Sequence, residues 1–163
     1  MMRLQDNWTM PVNTCHILVI DGEYLIAMDV ELILTRALNC EVTICTPYDY
    51  ESVLGENRFD IALVDTGEAV AKFVVLFETV RVHCAAIVVS TSCEEYSAGV
   101  PGVSGYPVVL KPYDEAALIE AIMCAADRNP AGTRSPVRHD TSITHRNGNN
   151  SVAGFASRQT VVR

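Results

Sequence analysis

The stretch that decides the fold is HILVIDGE, residues 16–23. After His16 it is a run of four apolar residues, and it stops at Asp21-Gly22, a turn signal. A short apolar run that ends at such a turn is typical of a strand buried on both faces of a parallel sheet. Residues 23–38 then place apolar side chains at helical spacing, with acidic residues concentrated in the first half. The segment therefore predicts a strand followed by a helix.

The same alternation of strand and helix continues along the chain. The predicted strands are residues 16–20, 41–45, 60–64, 85–89 and 106–110. The predicted helices are residues 23–38, 48–55, 68–83, 93–98 and 114–126. Because crossovers between parallel strands are right-handed, this pattern predicts an α/β fold with a doubly wound five-stranded parallel sheet covered by helices on both faces.

Size and charge narrow the class of protein. The chain has 163 residues and a net charge of −8, which fits one domain. An acidic balance argues against nucleic-acid binding, which depends on Lys and Arg that neutralise phosphates. The longest apolar run, residues 74–77, is far too short to span a bilayer, and the first residues lack the pattern of a signal peptide. We therefore expect a cytoplasmic protein without nucleic-acid or membrane partners.

Cysteine usage agrees with that compartment. The six cysteines form no CxxC pair, and most lie in apolar segments. The four histidines do not cluster with them at the spacing of a zinc site. We expect buried free thiols and no structural metal.

The charge distribution changes near residue 127. Residues 1–126 contain 6 Lys+Arg and 18 Asp+Glu, whereas residues 127–163 contain 6 Arg and 2 Asp. The second segment is polar and lacks apolar periodicity, so it cannot bury enough apolar area to offset its ordering entropy. We predict a flexible leader over residues 1–14, one domain over residues 15–127 and a disordered, Arg-containing tail over residues 128–163.

Polar groups follow or end four of the five predicted strands. They are Asp21, Asp65, Ser90 and Lys111. Since ligands of open α/β sheets bind beyond the carboxyl ends of the strands, these groups are candidates for one site. Two carboxylates held together require a cation, and their hard oxygen atoms favour Mg²⁺. Lys111 would pair with Asp65 or with a phosphoryl group on it, and Ser90 would donate to a phosphoryl oxygen.

These motifs, in this order, resemble a two-component response-regulator receiver domain of the CheY-like kind. The resemblance covers roughly 70% of the chain and rests on residues 17–23, 60–65, 87–90 and 108–113 together. It implies the flavodoxin-like (βα)5 fold, and Asp65 as the acceptor of a phosphoryl group from a histidine kinase or phosphotransfer protein. Asp21, Asp65 and the backbone carbonyl of Gly67 would bind Mg²⁺, while Ser90 and Lys111 would contact the phosphoryl group. A downstream protein would read the signal.

The sequence also departs from the family pattern. Gly22 occupies the place of a second acid, so Mg²⁺ binding should be weakened. Val108 stands three residues before Lys111, where the family usually has an aromatic residue, and Tyr106 lies nearby instead. Signalling through a rotating aromatic ring is therefore not expected.

Three functions of different classes remain open. The first is a stand-alone phosphoacceptor receiver that signals through protein contacts, with no enzymatic activity beyond Mg²⁺-dependent phosphorylation and dephosphorylation at Asp65. The second is a degenerate pseudo-receiver, a protein-interaction module that works without phosphorylation. The third, an enzyme of related layout, is the least favoured, because a haloacid-dehalogenase-like phosphatase would need a second Asp two residues after the nucleophile on the first strand, where this chain has Glu23.

Three of the site residues could also serve the fold alone: Asp21 as a helix cap, Ser90 as a turn hydroxyl, and Lys111 as the counter-ion of Asp65. Asp65 is harder to explain in this way, because an ionised carboxylate at a buried strand end is costly unless it is paired.

Overall fold

A five-stranded parallel sheet forms the centre of the protein. The computed structural model describes residues 14–128 and 134–139. The strands are β1 (Cys15–Ile20), β2 (Cys40–Cys45), β3 (Ile61–Asp65), β4 (Ala86–Thr91) and β5 (Val108–Leu110), in the order β2-β1-β3-β4-β5. This is one of the common orders of a doubly wound sheet, and it confirms the predicted fold class. β3 lies in the middle of the sheet, between β1 and β4.

Four α-helices cover the sheet. They are α1 (Tyr24–Ala37), α2 (Tyr50–Glu56), α3 (Val70–His83) and α4 (Glu115–Arg128). The prediction of a helix over residues 93–98 is wrong, because that segment contains only a short 3-10 turn, Glu94–Tyr96. Gly99, Gly102 and Gly105 follow that turn with positive φ angles, which favour turns over a helix. Within the described ranges, no helix is both long and apolar enough to cross a membrane.

The period-two alternation of the strands divides the core into two layers. Ile17, Val19 and Leu63 pack with residues of α1 and α4. Leu18 and Val64 point to the opposite face, where they pack with residues of α2 and α3. Because both faces of the sheet are covered, the central strands are apolar throughout rather than alternating with polar residues.

Residues 134–139 lie against the amino end of the sheet. Arg138 forms an isolated antiparallel bridge with Leu38, the Asn39 N–H donates to Val137 O at 2.8 Å, and the His139 N–H donates to Ala37 O at 2.9 Å. The prediction of a disordered tail from residue 128 is therefore wrong for these six residues, which main-chain hydrogen bonds hold in place. The rest of the predicted tail after α4, and residues 1–13 of the predicted leader, lie outside the described residues.

The cysteines are free thiols in the structure. Cys15, Cys45 and Cys84 are buried, and the other three, Cys40, Cys93 and Cys124, are partly exposed. The expectation of free thiols is confirmed, and that of burial holds for three of the six.

Candidate functional site

The four predicted site residues lie at the carboxyl edge of the sheet. Asp21 and Lys111 directly follow β1 and β5, Asp65 ends β3, and Ser90 is the penultimate residue of β4. Asp65 and Ser90 are register partners on neighbouring strands. All four share the alternation phase of the core residues that face α1 and α4, so their side chains belong to the same face.

Asp21 is almost completely buried, with 2% of its surface exposed. Its Oδ1 atom accepts a hydrogen bond from the Glu23 N–H at 2.8 Å, and its Oδ2 atom lies 2.6 Å from Lys111 Nζ. Glu23 is the residue that precedes α1 as its cap, and it makes no capping bond with its own side chain. Asp21 therefore both satisfies a main-chain amide beside the helix start and forms half of a buried ion pair.

Asp65 is the more accessible of the two carboxylates. Its side chain is 13% exposed, and Oδ1 lies 3.0 Å from Lys111 Nζ. Oδ2 accepts a hydrogen bond from the Gly67 N–H at 3.0 Å. Gly67 has a φ angle of +59°, a left-handed conformation that glycine adopts without a steric penalty. The turn after β3 therefore presents one amide to the carboxylate and leaves part of Asp65 open to solvent.

Lys111 forms ion pairs with both carboxylates. Its side chain is 5% exposed, and the ammonium lies between Asp21 and Asp65. Burial alone would lower the pKa of Lys111, but hydrogen bonds and charge attraction from the two carboxylates outweigh it, so the pKa is raised above its ordinary value. The ammonium is therefore charged at neutral pH, and the three groups together carry one negative charge.

Two buried hydroxyls beside this cluster have no hydrogen-bond partner. They are Ser90 Oγ and Tyr113 Oη. Burial raises the pKa of Tyr113 to about 12, and the nearby Ser90 hydroxyl acts in the opposite direction. The Ser90 hydroxyl is near enough to Tyr113 to lower its pKa through a hydrogen-bonding contact, but neither hydroxyl makes a hydrogen bond of good geometry. The sequence predicted a role for Ser90 but not for Tyr113. The signal that could have identified Tyr113 is its place two residues after Lys111.

Tyr106, the aromatic residue before Lys111, packs away from the Asp21–Asp65–Lys111 cluster. Tyr106 precedes β5 at its amino end and packs edge-on against Phe77 of α3, with ring centroids 4.8 Å apart. Val108 is the first residue of β5.

The donor atoms of the site fit a magnesium ion. Across residues 14–128 and 134–139, no three His, Cys, Asp or Glu side chains converge as a metal site. Asp21 and Asp65 nevertheless supply two carboxylates, and Mg²⁺ often binds proteins through only one or two, because it retains several waters. Gly22 adds no ligand atom, and no atom lies within 4 Å of the place a Cβ would take there. Asp21 and Asp65 therefore fit Mg²⁺ as ligands, without the second acid that receiver domains usually have at the position of Gly22.

Comparison with solved structures shows the fold. A response regulator from Thermotoga maritima matches with a TM-score of 0.60 and 16% identity over 70% of this chain and 98% of its own. A CheY-like receiver domain protein from Methanospirillum hungatei JF-1 matches with a TM-score of 0.58 and 21% identity, over 72% and 97% of the two chains. The signal receiver domain of an HD domain-containing protein from Pseudomonas fluorescens Pf-5 gives 0.57 and 12% identity, over 72% and 98%.

No family model matches the sequence, and no curated protein matches it either. The likeness is therefore one of three-dimensional structure at low sequence identity. The chain has the fold of CheY-like response-regulator receiver domains.

Proposed function

We propose that this protein is a phosphoacceptor receiver in a two-component phosphorelay and that Asp65 is the acceptor. The supporting observation is the buried ion-pair cluster, in which Lys111 bridges Asp21 and Asp65 at 2.6 and 3.0 Å. Of the two carboxylates, only Asp65 retains appreciable exposure. A phosphodonor can therefore approach Asp65 while Asp21 stays fixed beneath it.

The proposed reaction is a transfer of one phosphoryl group. A carboxylate oxygen of Asp65 forms a bond to phosphorus, and the bond between phosphorus and the donor breaks. The donor is the imidazole nitrogen of a phosphohistidine in a kinase or phosphotransfer protein, and it leaves with the electron pair of the broken bond. Lys111 stabilises the charge on the transferred group, since catalysis of phosphoryl transfer is mainly positioning and neutralisation. Ser90 would donate its hydroxyl hydrogen to a phosphoryl oxygen.

Asp21, Asp65 and the carbonyl of Gly67 are the proposed ligands of Mg²⁺. When bound, the ion would neutralise charge on the phosphoryl oxygens. Glu23, through its main-chain amide, holds the Asp21 carboxylate in place at 2.8 Å, so that ligand is preoriented. We expect weak Mg²⁺ binding, because Gly22 contributes no carboxylate and because Lys111 competes for the same two groups.

The proposed partners are proteins. A histidine kinase or phosphotransfer protein would supply the phosphoryl group, and a downstream protein would read the phosphorylated state. We also place the protein in the cytoplasm, where its thiols would remain reduced.

The test is phosphorylation by a small donor. The protein is incubated with acetyl phosphate and Mg²⁺, and the intact mass is measured. We expect the gain of one phosphoryl group in the wild type and none in Asp65→Asn. Asp60→Asn is the matched control, because it changes the same residue type just before the other end of β3 and should be phosphorylated like the wild type. Absence of the mass gain in the wild type, or an equal gain in Asp65→Asn, would refute the proposal.

Gly22 supports a second candidate, the pseudo-receiver that works through protein contacts alone. In this case Lys111 acts only as the permanent counter-ion of Asp21 and Asp65. The same experiment separates the two candidates, because the pseudo-receiver gains no phosphoryl mass at any Mg²⁺ concentration.

A further inference from the structure

Tyr113 is a partly buried side chain at this edge, and the proposed chemistry does not yet use its hydroxyl, which is buried. Its ring packs against the core layer of α1 and α4, on the side of the sheet that also holds the Asp65 cluster. This packing fixes the ring, and the hydroxyl at its end is shielded from solvent without a partner. The charges of Lys111, Asp21 and Asp65 all influence the pKa of that hydroxyl.

The neighbouring threonine, Thr91, shows that a buried hydroxyl in this strand can find hydrogen-bond partners. Thr91 follows Ser90 and is equally buried, but its side chain points to the other face. There the Thr91 hydroxyl oxygen accepts two hydrogen bonds, from the Thr66 hydroxyl at 3.0 Å and from the Cys93 N–H at 3.1 Å. Buried hydroxyls of native proteins are normally satisfied in this way. The unpartnered pair on the Asp65 side therefore points to a ligand oxygen that both hydroxyls can reach.

We propose that the Tyr113 hydroxyl, together with Ser90, donates a hydrogen bond to an oxygen of the phosphoryl group carried by Asp65. The inference rests on the proposed phosphorylation of Asp65 and adds a phosphoryl-binding residue to it. Three donors of different geometry then surround the group: the Lys111 ammonium, the Ser90 hydroxyl and the Tyr113 phenol.

The protonation state of Tyr113 supports this role. Burial raises its pKa to about 12, so the phenol keeps its proton at neutral pH and serves as a donor. A hydrogen bond from a buried phenol to a charged oxygen is among the stronger ones in proteins, and its loss should weaken binding of the group by about tenfold or more.

The test measures binding of a phosphoryl mimic. Beryllium trifluoride is titrated into the full chain with Mg²⁺, and the dissociation constant is measured by calorimetry. We expect Tyr113→Phe to bind the mimic about tenfold or more weakly than the wild type. Without the mimic, its thermal midpoint should be unchanged or higher, because the substitution removes only a buried hydroxyl that lacks a partner. A merely structural role of Tyr113 would lower that midpoint.

Two further variants sharpen the result. Tyr106→Phe removes a hydroxyl at the amino end of β5 and should leave mimic binding unchanged. Ser90→Ala should also weaken binding, and the double variant with Tyr113→Phe should lose less than the product of the two single effects if both hydroxyls bind the same group.

The outcomes separate this inference from the proposed function. If the wild type gains a phosphoryl group on Asp65 but Tyr113→Phe binds the mimic as tightly as the wild type, the Tyr113 inference alone is overturned. If the wild type neither gains the group nor binds the mimic, both are overturned.

Discussion

The two ends of β3 carry the same acidic residue in two different environments. Asp60 directly precedes the strand, and its two carboxylate oxygens accept hydrogen bonds from the main-chain N–H groups of His16 at 2.8 Å and Arg134 at 3.0 Å. Asp65 ends the strand, and its oxygens contact the Lys111 ammonium and the Gly67 N–H. Backbone amides hold Asp60, whereas a side-chain cation pairs with Asp65.

The difference follows from the topology of the sheet. At the amino end, the chain enters the strands, and Asp60 joins the start of β1 to residues 134–139 through amides. At the carboxyl end, side chains from three strand ends meet in the ion-pair cluster of Asp21, Asp65 and Lys111. The amino edge is therefore held by main-chain amides, whereas the carboxyl edge gathers charged side chains, as the proposed function requires.

The largest expected effect tests the ion-pair cluster at the carboxyl edge. Lys111→Met leaves two buried or partly buried carboxylates without their cation, and breaking a buried pair in this way costs about 3–5 kcal/mol. The free energy of unfolding, measured by urea denaturation at neutral pH, should fall by this amount. Arg81→Met is the control, because it removes a cation from an exposed pair with Glu78 and should change stability little. A loss in Lys111→Met no larger than in the control would contradict the cluster.

The next effect concerns thiols close to Asp60 at the amino edge. Burial, reinforced by Asp60, raises the pKa of Cys15 to about 12 and that of Cys84 to about 11. In the unfolded chain, the pKa of these thiols is about 9.0. Stability from these groups is therefore complete below about pH 9 and is lost as the pH rises towards 11–12, by about 1 kcal/mol for each thiol at about pH 10.

Denaturation in a reducing buffer at about pH 8 and about pH 10 measures this loss. Cys84→Ala should lose about 1 kcal/mol less than the wild type between the two conditions, whatever its stability at the lower pH. Parallel pH dependences in the two proteins would show that the Cys84 thiol is not the group that titrates.

A third effect separates the two aspartates directly. Asp60→Asn keeps one carbonyl oxygen but turns an amide NH₂ towards a main-chain N–H, so one hydrogen bond to the backbone is lost, at about 1 kcal/mol. Phosphorylation by acetyl phosphate should be unchanged. Asp65→Asn should show the reverse, with no phosphorylation and a smaller change in stability. Equal behaviour of the two variants would remove the functional distinction between the edges.

The carboxyl edge could be predicted from the sequence better than the rest of the molecule. Each strand is a local apolar pattern, and a parallel sheet brings all its carboxyl ends to one side. The grouping of Asp21, Asp65 and Lys111 therefore followed from strand ends alone. Ser90 was placed by the same reasoning, but its lack of a partner depends on packing that the sequence does not encode locally.

The errors have physical causes. The helix predicted over residues 93–98 was based on composition, but the glycines after it adopt positive φ angles and the segment closes as a single turn. The contact of residues 134–139 was missed because the argument for disorder considered side chains only, whereas main-chain hydrogen bonds with residues 37–39 hold the segment. Tyr113 was not singled out as a site residue, because the missing partner of its hydroxyl depends on packing in the fold rather than on a local sequence pattern.

The smallest expected effect tests whether the carboxyl edge is an incomplete metal site. A Cβ atom at position 22 would meet no atom within 4 Å, so Gly22→Asp can add a carboxylate next to Asp21 in the sequence. An added charge near the ion should tighten Mg²⁺ binding by about tenfold, which is modest because the new group is solvated in the free protein. Calorimetric titration with Mg²⁺ measures the change.

Gly55→Asp is the matched control for this titration, since it also adds one acid at a glycine with open space around it, but on α2. Its Mg²⁺ affinity should equal that of the wild type. If both variants tighten binding equally, the gain reflects net charge rather than a new ligand. If neither does, position 22 does not face the ion, and its glycine is not the reason for weak binding. A gain confined to Gly22→Asp would mean that one missing carboxylate separates this edge from a complete magnesium site.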